Sequence, residues 1–418
     1  MADCVSTKIT IGSTDQVEFC HRLSETAADR SYCERVMEAA QLTQQTINGI
    51  LSEAINDRAA SLVTSDVPSK KQKNYDCADD GYSSPTVENK CPHTSCEYPA
   101  TLCGYHASHW SGSSCAPDLV IANFVKDVAS SSRRAQQTIP SNLNVSYATA
   151  TEQDEMASSN MMSDDSSASS GQQYYDVYGA EALDDTAPIF AFVHGGLWTE
   201  GSRRISAPMA EPLTTNGCVV AVIGYDLAPK ISLDKMIDQI TRAFIHLIHF
   251  SRNRGSSGLY VCGHSAGAHL VIMALVRLAK MSSCSPNSDY IASLRGTFLL
   301  SGIYDLKPLL GSSLANDLKL DDCNYRDCNP VDHIETIASL LNNNNAFPFW
   351  IIYAERDSSR YQCESKTVHG LLKKYSASNP YLKLHQVKDM DHFSLISRMN
   401  EPDYQLVRIM IDVMGLKK

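Results

Sequence analysis

The chain has 418 residues and 43% hydrophobic content, enough for a sizeable core and long for a single α/β domain. Its formal net charge of -11, with no Lys/Arg stripe or cluster, excludes the phosphate-neutralising surface that nucleic-acid binding requires. The opening Met1–Lys8 lacks a charged-then-apolar leader pattern and no apolar run reaches bilayer length, so the sequence predicts a soluble intracellular protein, cytoplasmic or also nuclear, with no membrane span.

Residues 1–104 read as an N-terminal extension. Between Tyr32 and Val63, the positions Val36, Ala40, Thr43, Ile47, Ile50 and Ala54 recur at alternating steps of four and three, as on one helix face, with Gly49 weakening the interior by about 1 kcal/mol. Such a helix would dock on the main domain or on a partner protomer, the latter giving a homodimer. Residues Asp66–Ser84 turn polar, with Pro68 and Gly81, and read as linker. Of the 14 cysteines most lie early in the chain, and Cys77, Cys91, Cys96, Cys103 and Cys115 are interleaved with His93, His106 and His109. A structural zinc site is one reading of that set and unpaired thiols the other; the spacing fits no zinc ribbon or finger, and the reading carries no metal. The sequon Asn144-Val145-Ser146 is incidental without a leader. Thr151–Gly171 holds five carboxylates, seven serines and no basic residue, a composition that buries too little apolar surface to order itself and predicts a surface insertion.

From residue 105 to 418 the pattern alternates strand and helix, which predicts an α/β fold with a mostly parallel sheet and helices on both faces. The buried run 188–193 leads directly into His194-Gly195-Gly196-Leu197-Trp198, where paired glycines leave backbone N–H groups free to face a developing oxyanion. A strand at 218–223 follows, then Gly224-Tyr225-Asp226-Leu227-Ala228-Pro229, then a covering helix at about 232–252 with Met236, Ile237, Ile240, Phe244, Leu247 and Ile248 on one stripe. Near-continuous apolar strands such as Cys218–Ile223 suit a parallel sheet buried on both faces.

The strand 258–262 ends in Gly263-His264-Ser265-Ala266-Gly267, with a helix from 266. Strand, sharp turn and helix in that order place Ser265 on a strained elbow that lifts its hydroxyl above the sheet end, with the Ala266 N–H beside it at a helix N-terminus. Ser265 is the candidate nucleophile, and Gly195, Gly196 and Ala266 are the candidate oxyanion donors. A strand at 296–300 precedes Ser301-Gly302-Ile303-Tyr304-Asp305-Leu306. After the strand 347–354 comes Asp357, the candidate acid, favoured over Glu355 because a loop acid stands further from the strand end. Asp391 adjoins the base in sequence and cannot easily reach its ring. A helix near 362–375, a strand at 381–387, His392 as the candidate base and a helix near 402–414 complete the chain. Cys218 and Cys262 fall inside strand runs and read as buried thiols.

These strings resemble the kynurenine formamidase (arylformamidase) family of the α/β-hydrolase superfamily. His194-Gly195-Gly196-Leu197-Trp198 is similar to that family's H-G-G-x-W, where many carboxylesterases carry a third glycine in place of Leu197. Gly263–Leu270 resembles its elbow, including the alanine and histidine that follow. The segments at 224–229, 301–306 and 174–178 are similar too, and the resemblance covers roughly 105–418. It implies a Ser265–His392–Asp357 triad cleaving the formamide of N-formyl-L-kynurenine, a small-molecule substrate, with no cofactor. His194, Trp198, Tyr225 and Tyr304 are motif or pocket residues on this reading, the aromatic ones lining a substrate pocket or packing the core. A general carboxylesterase or lipase would use the same triad, and a hydrolase-fold binding protein would lose a member of it.

Overall fold

A computed structural model describes residues 4–11, 15–22, 103–107, 117–149, 172–284, 290–343, 346–376 and 379–416. The helix read over 32–63, the linker, the acidic insertion and the Cys/His set other than Cys103 and His106 lie outside these residues. The chain divides into two units, Met1–Tyr75 and Asp76–Lys418. In the first, β1 (Cys4–Ile11) pairs antiparallel with β2 (Asp15–Arg22), Cys4 opposite Arg22 and Ile11 opposite Asp15. The sequence reading assigned no element there.

The second unit runs α1 (Pro117–Thr138), β3 (Ser141–Ser146), β4 (Tyr174–Tyr178), β5 (Ile189–Val193), α2 (Ala210–Thr215), β6 (Val219–Ile223), α3 (Leu233–Arg254), β7 (Leu259–His264) and α4 (Ala266–Cys284). It continues with β8 (Leu294–Leu300), α5 (Ser313–Asp317), α6 (Ile334–Asn343), β9 (Phe349–Ala354), α7 (Ser359–Tyr375), β10 (Leu382–Val387), α8 (Ser394–Ser397) and α9 (Gln405–Met414). Among the described residues, eight strands form one sheet in the order β10-β9-β8-β7-β5-β6-β4-β3. The strands from β6 to β10 in this order pair parallel, while β4 is antiparallel to both β6 and β3. Right-handed crossovers through helices on both faces are what such parallel pairs require.

Alternation along each strand divides the interior into two cores. Ile189, Ala191 and Val193 of β5, with Val219, Ala221 and Ile223 of β6, face α3, α4, α6 and α7. Phe190, Phe192, Val220 and Val222 face α1, α2 and α9, where Leu406, Val407, Met410 and Ile411 form the stripe. The stripe read on α3 is wholly buried. Every strand and helix read from 188 onward is present, within a few residues of its expected ends.

Helix α1 was not read from the sequence. Leu119 is 46% exposed and Val125 39%, so its apolar residues do not keep to one buried stripe. Its mid-helix serines also argue against helix locally; here Ser131 and Ser132 donate back to the carbonyls of Asp127 and Val128, which keeps them compatible with it. Ser132 Oγ additionally accepts from the Ala207 N–H at 2.9 Å, tying the helix to the loop that follows β5.

A very close backbone approach lies between the end of β5 and the start of α4. A Cβ on Gly267 would stand 2.2 Å from the Val193 carbonyl oxygen and 2.5 Å from that of His194, both backbone atoms that cannot swing aside. Gly267→Ala is therefore expected to destabilise the folded chain by about 1–3 kcal/mol through overpacking, read as a lowered midpoint in denaturant unfolding; an unchanged midpoint would contradict this packing.

Candidate active site

The turn between β7 and α4 carries Ser265 at φ 55°, a left-handed conformation that a non-glycine residue adopts only when its surroundings impose it. Those surroundings are hydrogen bonds. The Ser265 N–H donates to the Leu300 carbonyl of β8 at 2.8 Å, and the Ser265 carbonyl accepts from Ala268 and His269 at the start of α4. Gly195 presses against this elbow: a Cβ there would lie 2.9 Å from Ser265 Cβ and 2.9 Å from the His264 carbonyl oxygen. Only a residue without a side chain brings the loop after β5 this close to the serine.

That loop is clamped from behind. Gly196, Leu197 and Trp198 all have positive φ, and the Gly196 carbonyl accepts from the Thr199 and Glu200 N–H groups at 3.0 and 2.9 Å. The Trp198 indole N–H donates to His269 Nδ1 at 3.3 Å, and His269 Nε2–H donates to the Cys328 carbonyl at 2.8 Å. Burial holds His269 neutral, its pKa pulled down to about 4, so Nδ1 stays available as acceptor. The Tyr225 hydroxyl donates to the His194 carbonyl at 3.0 Å while its ring stacks on the His194 imidazole, centroids 4.5 Å apart. Further along, Arg203 pairs with Asp176 of β4 at 3.2 Å, both side chains almost wholly enclosed. Among the described residues, the N–H groups of Gly195, Gly196 and Ala266 meet no carbonyl in the turns and loops, which leaves them able to face a substrate oxygen.

Behind the serine lies a buried hydrogen-bonded run of Ser301, Asp357 and His392. His392 Nδ1–H donates to Asp357 Oδ1 at 2.9 Å; Asp357 Oδ2 accepts from Ser301 Oγ–H at 2.5 Å and from the Ala354 N–H at 2.8 Å. With Nδ1 so committed, Nε2 is the nitrogen left to take a proton. The acid and base loops are laced together, Glu355 N–H to the Val387 carbonyl and Arg356 N–H to that of Met390. His264 Nε2–H donates to the His392 carbonyl at 3.0 Å, joining the base loop to the elbow, and burial holds the His264 pKa well below its usual value. The rival acids are occupied elsewhere: Glu355 accepts from the Asp389 N–H, and Asp391 accepts from Phe393, Ser394 and the Ser394 hydroxyl. Ser301 spends its hydroxyl on Asp357 and does not line the cavity, which makes it an orienting group for the acid.

The structure brings Ser265, His392, His194, Gly195 and Gly196 to one wall of a cavity of about 380 Å³. Ser265 Oγ does not reach His392 here; it lies 3.4 Å from the Tyr361 hydroxyl. Of the two readings of Trp198, Tyr225 and Tyr304, pocket lining or core packing, the structure shows the second: all three are buried, the first two held by the bonds just described, and none lines the cavity. Its aromatic surface comes instead from Tyr105, Phe124, Phe192, Tyr361 and Phe393. Phe124 and Tyr105 sit in segments to which the sequence reading assigned no element. Tyr361 stands in the helix that follows Asp357.

Residues 103–107 form part of the site although they stand at the edge of the expected extension. The Tyr105 hydroxyl donates to Glu364, whose other oxygen accepts from the Tyr304 and Asp305 N–H groups, and Ser358 Oγ–H donates to the Gly104 carbonyl at 2.6 Å. Burial pushes the Glu364 carboxyl up to about 7.

Fold and site together define a serine hydrolase of the α/β-hydrolase class. A family model described as alpha/beta hydrolase fold matches residues 190–393. Esterase B from Lactobacillus rhamnosis shares the fold at a TM-score of 0.50, with 18% identity, covering 76% of this chain and 96% of that one. Kynurenine formamidase from Salmo salar is 32% identical over 240 residues, 57% of this chain and 77% of that protein. The Danio rerio kynurenine formamidase is 28% identical over 311 residues, 74% and 94% of the two chains. The chain belongs to the kynurenine formamidase family.

Two expectations follow from this site. Ser301→Ala removes one of three donors from the Asp357 carboxylate and should lower kcat roughly tenfold at unchanged KM, since a hydrogen bond to a charged group contributes about 1.5–3 kcal/mol; an unchanged kcat would show that the other two donors suffice. Glu364 has a folded pKa near 7, above its unfolded value, so the folded chain holds the proton more tightly. Stability from this group is then fully present below the unfolded carboxyl value and is lost as pH rises through about 7. The melting temperature of wild type relative to Glu364→Gln should fall between pH 5 and about 8, then level off.

Proposed function

We propose that this chain hydrolyses the formamide of N-formyl-L-kynurenine, releasing L-kynurenine and formate, with Ser265 as nucleophile, His392 as base and Asp357 as its orienting acid. The observation that carries the reading is the shared cavity wall, where an elbow serine, a carboxylate-bound imidazole and the unpaired amides of a two-glycine loop meet beside aromatic side chains. Family membership supports the substrate class.

In the first half-reaction the Ser265 side chain turns from Tyr361 toward His392 Nε2, which takes the hydroxyl proton as Oγ bonds to the formyl carbon. The carbonyl oxygen becomes an oxyanion facing the N–H groups of Gly195 or Gly196 and of Ala266; one such donor is worth about 3–4 kcal/mol in comparable sites. As the oxyanion collapses, the C–N bond breaks and His392 returns its proton to the departing arylamine nitrogen. Formyl-Ser265 remains. Water then attacks with His392 as base, and formate leaves as the serine regains its proton. Phe124, Phe192 and Phe393 offer the aryl group an apolar surface.

The reading takes residues 105–418 as the catalytic domain, acting on a small molecule in the cytoplasm or the nucleus. Among the described residues no helix is long and apolar enough to cross a membrane.

Turnover of N-formyl-L-kynurenine beside a short-chain p-nitrophenyl ester tests the proposal. Formamide turnover should dominate, Ser265→Ala should lower kcat by roughly five to six orders of magnitude, and Asp357→Asn by about 10⁴-fold. Ester turnover alone would make the chain a general esterase, and no Ser265-dependent turnover of either would leave a binding protein on a hydrolase fold.

A further inference from the structure

Tyr361 touches both groups that must exchange a proton. It sits in the first turn of α7, just after the acid, where the Ser358 hydroxyl caps the helix. Its ring lies 4.2 Å from the His392 imidazole, tilted by 32°, and its hydroxyl oxygen is the hydrogen-bond partner of Ser265 Oγ among the described residues. The acyl-transfer scheme above starts from the second contact but gives Tyr361 no role of its own.

The direction of the Tyr361–Ser265 bond follows from proton counting. The Tyr361 hydroxyl lies 3.0 Å from the Tyr105 carbonyl oxygen, an atom that can only accept. The single phenolic proton is therefore directed at Tyr105, the shorter of the two contacts. What Tyr361 turns toward Ser265 is a lone pair, so in the 3.4 Å contact the serine must be the donor. The serine proton thus points away from the nitrogen meant to remove it. Residues 103–107 fix this arrangement: Tyr105 is anchored through its own hydroxyl on Glu364, and Gly104 through its carbonyl on Ser358. Burial raises the Tyr361 phenol well above its usual range, so the group stays neutral and keeps both roles.

We propose that Tyr361 is a restraining catalytic residue: its oxygen accepts the Ser265 hydroxyl proton in the resting enzyme, and breaking that bond is part of the barrier to forming the Ser265–His392 pair. The ring and the hydroxyl then act in opposite senses. The ring backs the imidazole and supports catalysis, whereas the hydroxyl holds the nucleophile back. The segment at 103–107, upstream of the hydrolase motifs, sets the strength of the restraint by orienting the phenolic proton. This rests on Ser265 being the nucleophile.

The test is the second-order rate at which a small fluorogenic organophosphonate acylates the full-length chain. Tyr361→Phe keeps the ring and removes the acceptor, and should react roughly three- to tenfold faster than wild type, the range expected for one neutral hydrogen bond. A gain in rate cannot come from misfolding. Site-specific 3,5-difluorotyrosine at 361 preserves the shape and weakens the oxygen as acceptor, so it should also be faster, by a smaller factor; this variant decides the matter should the phenylalanine chain fail to fold. Tyr361→Leu, which removes the ring as well, should be slower than Tyr361→Phe. Equal or slower acylation in both ring-retaining variants, with Ser265→Ala unlabelled, would overturn the restraint while leaving the nucleophile in place. Labelling that persists in Ser265→Ala would overturn both.

Discussion

Everything in the site depends on how closely two stretches of backbone approach at the carboxyl end of the sheet. The loop leaving β5 and the elbow leaving β7 meet without intervening side chains, Gly195 against Ser265 and Gly267 against the Val193 and His194 carbonyls. Adjacent parallel strands stand about 4.8 Å apart. Here the turns leaving neighbouring strands approach more closely than that, and one partner at each contact lacks a Cβ. The glycines thus bring the amides of one loop beside the hydroxyl of the other, and the strained φ of Ser265 is the conformational cost of holding it there, about 1–3 kcal/mol.

Much of the surrounding structure holds that approach in place. Trp198 through His269, Tyr225 through His194, and the enclosed Arg203–Asp176 pair fix the oxyanion loop from three directions. His264 links the elbow to the base loop, and the base loop is laced to the acid loop by backbone bonds from Glu355 and Arg356. The buried histidines in this shell, His194, His264 and His269, all have depressed pKa values because burial disfavours their charged forms. They act as neutral, tautomer-defined hydrogen-bonding parts, each presenting one donor and one acceptor.

The cavity is asymmetric. Part of its lining is built by loops leaving the central strands, and part is mostly apolar and comes from α1, residues 105–107 and the segment from Phe393 into α8. The catalytic part is held by many bonds within the sheet domain. The apolar part is held partly by one buried carboxylate, Glu364, which gathers the Tyr105 hydroxyl and the Tyr304 and Asp305 amides. The segment upstream of the hydrolase motifs is in this way connected to the nucleophile through Tyr361.

The residues alone determined the strands and covering helices from 188 onward, and the elbow around Ser265, because these signals are local: buried parallel strands are continuous apolar runs, and an elbow needs its glycines at fixed spacing. Asp357 could be preferred over Glu355 and Asp391 by position, and its bond to His392 agrees with that preference. The place of helix α1 came only with the tertiary structure, which sets its apolar residues at a cavity rim as well as in a core. Whether an aromatic lines a cavity or braces a loop depends on which partner its polar tip finds, so Trp198 and Tyr225 could not be separated from Phe124 and Tyr361 by pattern. Only the tertiary structure decided that, because the partners, His269 for Trp198 and Tyr105 for Tyr361, are distant in sequence and meet through the packing of the sheet.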